Sequence, residues 1–176
     1  MKTLYKTLCK SLFVFFTLGA GQTSYAHMMV AQHGTLNVID DGVFMVLSLP
    51  VSAFSGVDDD QDGKLSKAEF TLHRPAIAKL VNENVTLKDS NGKLTLQGMM
   101  LSLVTSHHSP NQPASQLVVM GRYGLTEPAS LLHYQVGLFG NKADEQSLEI
   151  TATRKTDNKK QRFKLSPKNK QMMFFE

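Results

Sequence analysis

The chain has 176 residues, 41% hydrophobic and 19% charged, with a formal net charge of +4. Three lysines at the very start account for most of that charge, because residues 27–176 hold 16 basic against 15 acidic side chains, and so even a balance gives general nucleic-acid binding no support. The single cysteine, Cys9, also lies at the start, which excludes disulfide and thiol chemistry from the remainder.

Lys2, Lys6 and Lys10, the apolar run from Leu12 to Ala20 and the small-residue pattern Ser24-Tyr25-Ala26 read as a secretory signal peptide over residues 1–26, cleaved after Ala26. The run is nine residues long, against roughly 20 for a helix that spans a bilayer. No later segment is longer, so no membrane span is expected. The reading places the protein in the periplasm or outside the cell. Residues 27–176 then form one β-rich domain, a normal size for a single core.

Thr35–Ile39 and Val43–Leu47 flank Asp40-Asp41-Gly42, the signature of a tight β-hairpin. Pro50 allows at most a short helical turn up to Phe54. The segment Asp58-Asp59-Asp60-Gln61-Asp62-Gly63-Lys64-Leu65-Ser66-Lys67-Ala68-Glu69 fits the EF-hand calcium-loop pattern. Asp58, Asp60 and Asp62 alternate, so their carboxylates can converge; Gly63 permits the sharp bend; Lys64 would offer its backbone carbonyl; Ser66 would bind directly or through water; Glu69 can give two oxygens. Such an all-oxygen set suits Ca²⁺. Ser66 and Glu69 also make a Ser-x-x-Glu capping box for a following helix, and Leu65 and Phe70 read as apolar anchors.

Ala68, Leu72, Ile77 and Leu80 stand near helical spacing, with Pro75 expected to kink the segment or to start a second helix. Strands are expected at 85–87, 93–96, 99–104, 116–123, 131–139, 147–153 and 161–165, separated by turn residues such as Asn91-Gly92 and Asp157-Asn158. The stretch Leu87–Thr95 echoes the acidic loop but lacks its first and last carboxylates, and reads as an Asn-Gly hairpin. Short strands at this spacing predict a mainly β fold, an antiparallel β-sandwich of Ig-like or Greek-key type with an inserted EF-hand loop and helix.

Histidines and methionines offer a second, softer set of metal donors. His27, the new N-terminus after cleavage, could grip copper or nickel together with His33, with Met28 and Met29 as soft donors; an arbitrary, poorly ordered terminus is the alternative. His107-His108 could add imidazoles or simply sit on a solvated loop, and His73 and His133 read as packing or surface residues. The cations Arg154, Lys155, Lys159, Lys160, Arg162, Lys164, Lys168 and Lys170 form a basic segment over 154–170, either a weak contact for an anionic surface or one solvated face of a strand pair. There is no Gly-x-Ser-x-Gly elbow, His-Glu-x-x-His helix or phosphate-cradling glycine loop, so the expectation is that the protein is not an enzyme.

The order of parts, Ala-His at the expected mature start, a hairpin running into Leu-Pro-Val-Ser-Ala-Phe, the acidic loop, a helix, and later Leu131–Gly140, resembles the extracytoplasmic N-terminal region of the bacterial hydrogenase/urease accessory (HupE/UreJ) family and its stand-alone relatives. The membrane helices of that family do not follow here, so its transport role is not carried over. The resemblance implies a periplasmic setting and a sandwich-like domain. Together these readings predict an exported calcium-binding protein whose single EF-hand braces a β-sandwich binding module with an unknown protein partner. A copper- or nickel-handling protein is the alternative.

Overall fold

Alternation of apolar and polar residues decides most of the architecture. A computed structural model of the chain describes residues 31–105, 111–126 and 131–175. In β1 (His33–Ile39) and β8 (Leu148–Arg154) every second residue is buried, as expected of strands with one face on a core. The others are β2 (Gly42–Pro50), β3 (Val85–Asp89), β4 (Gly92–Lys93), β5 (Leu96–Leu103), β6 (Gln116–Gly124), β7 (Leu132–Val136), β9 (Lys159–Leu165) and β10 (Gln171–Phe174). They form a six-stranded sheet, ordered β5-β6-β2-β1-β8-β9, and a four-stranded sheet, ordered β10-β7-β3-β4.

One hydrophobic core joins the two sheets. Leu36, Met45, Leu47, Val119, Tyr123 and Ile150 of the larger sheet share it with Leu87, Tyr134 and Phe174 of the smaller. The hydroxyl of Tyr134 reaches the sulfur of Met45 at 3.3 Å, and that of Tyr123 reaches the Val85 carbonyl at 3.4 Å, so two buried phenols find partners across the core.

The expected wholly antiparallel Ig-like or Greek-key sandwich is corrected. The large sheet is mixed, because β1 pairs with β8 in parallel, Gly34 opposite Ile150 and Leu36 opposite Ala152. Alternation has the same period in either kind of ladder, so it carries no information on strand direction. The inserted EF-hand is corrected too. Among the described residues there is a single α-helix, α1 (Lys67–Asn84), and it follows the acidic loop. What precedes the loop is β2 and a three-residue 3-10 turn, Val51–Ala53. Pro50 and Phe54, both in extended conformation, bound that turn and leave no room for an entering helix.

Local expectations fare better. The hairpin between β1 and β2 closes on Asp40-Asp41, with Asp40 at φ 50° and Gly42 already paired with Ile39. The Leu87–Thr95 stretch is the β3–β4 hairpin. Helix α1 runs as one element through Pro75, which does not start a second helix. Its buried residues are Ile77 and Val81, with Phe70 partly buried on the same side, whereas Leu72 is 69% exposed. At 3.6 residues per turn Leu72 stands about 200° around the axis from Phe70, so it cannot share that face.

Candidate metal centre

The acidic loop is fixed at both ends by apolar side chains. Val51, Phe54 and Val57 are buried just before it, and Leu65 is buried within it. Leu65 also exchanges two backbone hydrogen bonds with Ala114, its N–H donating at 2.8 Å and its carbonyl accepting at 3.0 Å, which ties the loop to the segment leading into β6. Ser66 then caps α1: its hydroxyl accepts from the Glu69 N–H at 3.2 Å while the Glu69 carboxylate accepts from the Ser66 N–H at 2.8 Å. This is the reciprocal capping box expected from the sequence.

Within that frame the loop curls on its own carboxylates. Asp58 Oδ2 accepts from the Gly63 N–H at 2.8 Å, Asp60 Oδ1 from the Asp62 N–H at 3.2 Å, and Glu69 Oε1 from the Asp59 N–H at 2.9 Å. Gly63 sits at φ 77°, with nothing within 4 Å of where a Cβ would be. Backbone conformation, not space, therefore calls for glycine there.

The result gathers ligand atoms of Asp58, Asp60 and Glu69 within 4.8 Å of one another. A carboxylate-rich group of this kind can coordinate a divalent cation. No lysine or arginine forms an ion pair with these three among the described residues. Lys67, the nearest cation in sequence to Glu69, instead donates to Asn111 at 2.8 Å. Crowding registers in the protonation equilibria. The Asp62 N–H favours the ionised form of Asp60, but desolvation and the charges of Asp62 and Glu69 outweigh it and raise the Asp60 carboxyl above its ordinary value. Glu69 moves the other way, to about 2, through the Ser66 hydroxyl and the N–H groups of Ser66 and Asp59. One atom stands out: Asp58 Oδ1 is buried without any hydrogen-bond partner.

Of the six positions expected to hold metal, Asp58, Asp60 and Glu69 are brought together. Asp62 is not in the group; its Oδ1 accepts from the Lys64 N–H at 2.8 Å. Ser66 serves as the helix cap, and the Lys64 side chain is exposed. His27 and His107-His108 lie outside the described residues. His33 is not in the cluster: its Nδ1 meets the Ala31 carbonyl at 2.7 Å and its Nε2 stands 4.0 Å from Glu149. Sequence reasoning missed Ala114, whose role depends on a bridge across 49 residues, and the pairing of Asp59 with His73 Nε2 at 2.9 Å. That pair draws Asp59 onto α1. A His fourteen residues after an Asp gives no sequence signal.

No family model matches the chain, and no curated protein matches it. Among solved structures, it is similar to a protein of unknown function from Burkholderia pseudomallei K96243, at 11% identity over 74% of this chain and 53% of that one, with a TM-score of 0.22. The chain thus spans about half the length of that structure, and a likeness so slight carries no argument. The resemblance to the hydrogenase/urease accessory family is accordingly corrected: no family model supports it, and the loop that carried it is followed by a helix but has none before it, so it lacks the helix-loop-helix arrangement that defines an EF-hand. The expected function, a single EF-hand bracing an antiparallel sandwich, is corrected with it.

Proposed function

We propose that the loop from Asp58 to Glu69 is a divalent-cation site with a structural, non-catalytic role, and that its ion is Ca²⁺. The observation that carries this reading is the buried, unpartnered Oδ1 of Asp58 beside two further carboxylates. An ionised oxygen left without a partner in a protein interior is costly, and a cation is the partner that the surrounding charges call for. The donors are all hard oxygens, which disfavours copper and zinc. Oxygens on opposite sides of Ca²⁺ stand about 4.6–5.2 Å apart, twice the usual Ca–O distance, so one ion can touch all three carboxylates across their 4.8 Å span. Mg²⁺, with its shorter bonds and stricter octahedral demand, suits the group less well.

Isothermal titration tests this. The expectation is one Ca²⁺ per chain, weaker binding of Mg²⁺, and loss of both in Asp60→Asn. No heat of binding with millimolar Ca²⁺ would remove the proposal. We propose also that the chain is exported, supported by the leader pattern of residues 1–26; amino-terminal sequencing of the protein from fractionated cells checks it. A third proposal concerns the 154–170 segment as an anionic contact. It is supported by the cations of β9, of which Lys160, Arg162 and Lys164 have no carboxylate within ion-pairing distance among the described residues. Among those residues no helix is long and apolar enough to cross a membrane, so such contact would be peripheral.

A further inference from the structure

The eight cations of residues 154–170 are not equivalent, and the fold sorts them. Arg154 is only 7% exposed. Its guanidinium donates to both oxygens of Asp157, at 2.9 Å from Nη2 to Oδ2, and lies 4.6 Å from the centre of the buried Phe175 ring. It belongs to the packing of the C-terminal strand and cannot reach a partner. Lys159 stands 3.8 Å from the same aspartate. The rest of β9 alternates: Phe163 and Leu165 point into the core, while Lys160, Arg162 and Lys164 are exposed on the opposite face. Strand geometry spaces those three about 7 Å apart in a straight row.

β9 is the last strand of the large sheet. On the neighbouring β8 the residues directly opposite the row are Thr153, Thr151 and Glu149. Glu149 is the one carboxylate there, and it stands beside His33 at 4.0 Å instead of within ion-pairing reach of Lys164. Lys168 is exposed in the turn after β9. The large exposed apolar side chains, Phe44, Leu72, Met100, Leu131 and Met173, are all off this row.

We propose that this outer face of β9 docks the protein on an anionic lipid bilayer, with Lys160, Arg162 and Lys164 meeting the headgroup phosphates. The inference rests on the reading of the segment as an anionic contact, and narrows it to one partner. A straight row of cations on a sheet face complements a planar array of phosphates. Single-stranded nucleic acid is recognised through aromatic stacking, and duplexes through an element inserted in a groove; β9 offers neither, and the exposed Phe44 on this sheet face stands three strands away, in line with Lys160. β9 itself has no apolar wedge to enter the acyl region, so the attraction along its row is electrostatic and fades as salt shortens its range.

The test is sedimentation of the full chain with vesicles of 30% phosphatidylglycerol in phosphatidylcholine, beside vesicles of phosphatidylcholine alone. Binding is expected to the former only, and to be lost in 0.5 M NaCl. Each cation removed weakens it about fivefold, so K160Q/R162Q/K164Q binds on the order of a hundredfold more weakly, whereas the equally charged control K79Q/K88Q/K93Q stays within a few fold of the parent. Circular dichroism melts confirm that both variants fold. Equal weakening by both triples, or no preference for the anionic vesicles, overturns the proposal. Retention on heparin without vesicle binding refutes the bilayer as partner while leaving the anionic contact standing; retention on neither refutes both.

Discussion

Replacing Asp58 with asparagine separates the ion from the scaffold. The amide oxygen can still accept the Gly63 N–H that now bonds Asp58 Oδ2 at 2.8 Å, so the turn keeps its shape, while an uncharged NH2 group, which cannot ligate a cation, takes the place of the buried Oδ1. If the site binds Ca²⁺ in the range of about 10⁻⁴ to 10⁻³ M common for extracellular modules, 10 mM Ca²⁺ stabilises the parent by about 1.4 to 2.7 kcal/mol. In a domain of this size that corresponds to a rise in melting temperature of roughly 3–11 °C over the protein in chelator. Asp58→Asn should show almost none of this rise, yet melt in chelator at or above the parent, because one of the crowded negative charges is gone. The assay is a thermal melt followed by circular dichroism, parent and variant, each in EDTA and in 10 mM Ca²⁺. An identical calcium-induced rise in both proteins, or none in the parent, would refute the reasoning.

Two further outcomes follow from the same description. Ile77→Ala empties a fully buried position on α1 and should lower the stability measured by urea unfolding by about 2–5 kcal/mol, whereas Leu72→Ala on the exposed face should stay within about 0.5 kcal/mol of the parent. In metal-free protein, the Glu69 carboxylate is held at about 2 against an ordinary 4.5, so its stabilisation is complete above that ordinary value and is lost as pH falls from 4.5 towards 2. Glu69→Gln should flatten part of the acid slope of the urea midpoint; Asp157, lowered by Arg154, and Asp89, lowered by Thr126, act in the same direction, and Asp60, which is raised, acts against them.

Much of the candidate site was legible because it is short-range. Ser66 and Glu69 are three residues apart, and their capping box formed as the spacing required. Gly63 bends the chain where the pattern demanded. The convergence of Asp58, Asp60 and Glu69 was also readable, but the turn of Asp62 towards the Lys64 N–H was not, since a short aspartate can serve its own backbone as readily as an ion. The short turn before the loop was legible from Pro50, but the EF-hand reading did not hold, because a twelve-residue loop pattern says nothing about whether a second helix frames it. Long-range order was hidden as well. β10, a four-residue strand after the Lys168-Asn169-Lys170 turn, owes its existence to pairing with β7, with Phe174 opposite Leu132. Nor does any local signal announce that β1 and β8 run side by side.

That parallel junction governs the order in which the polypeptide can be assembled. β1 and β2 zip together as neighbours, but the free side of β1 waits for residues 148–154. Until those arrive, a row of unpaired amides and carbonyls lies open along His33–Ile39, with no lysine or proline to deter a stray chain. Synthesis from the amino end therefore cannot complete the main sheet in stages. The closing step has a high sequence separation, slow by the rule that distant contacts cost loop entropy first, and a chain cut short before residue 148 should aggregate.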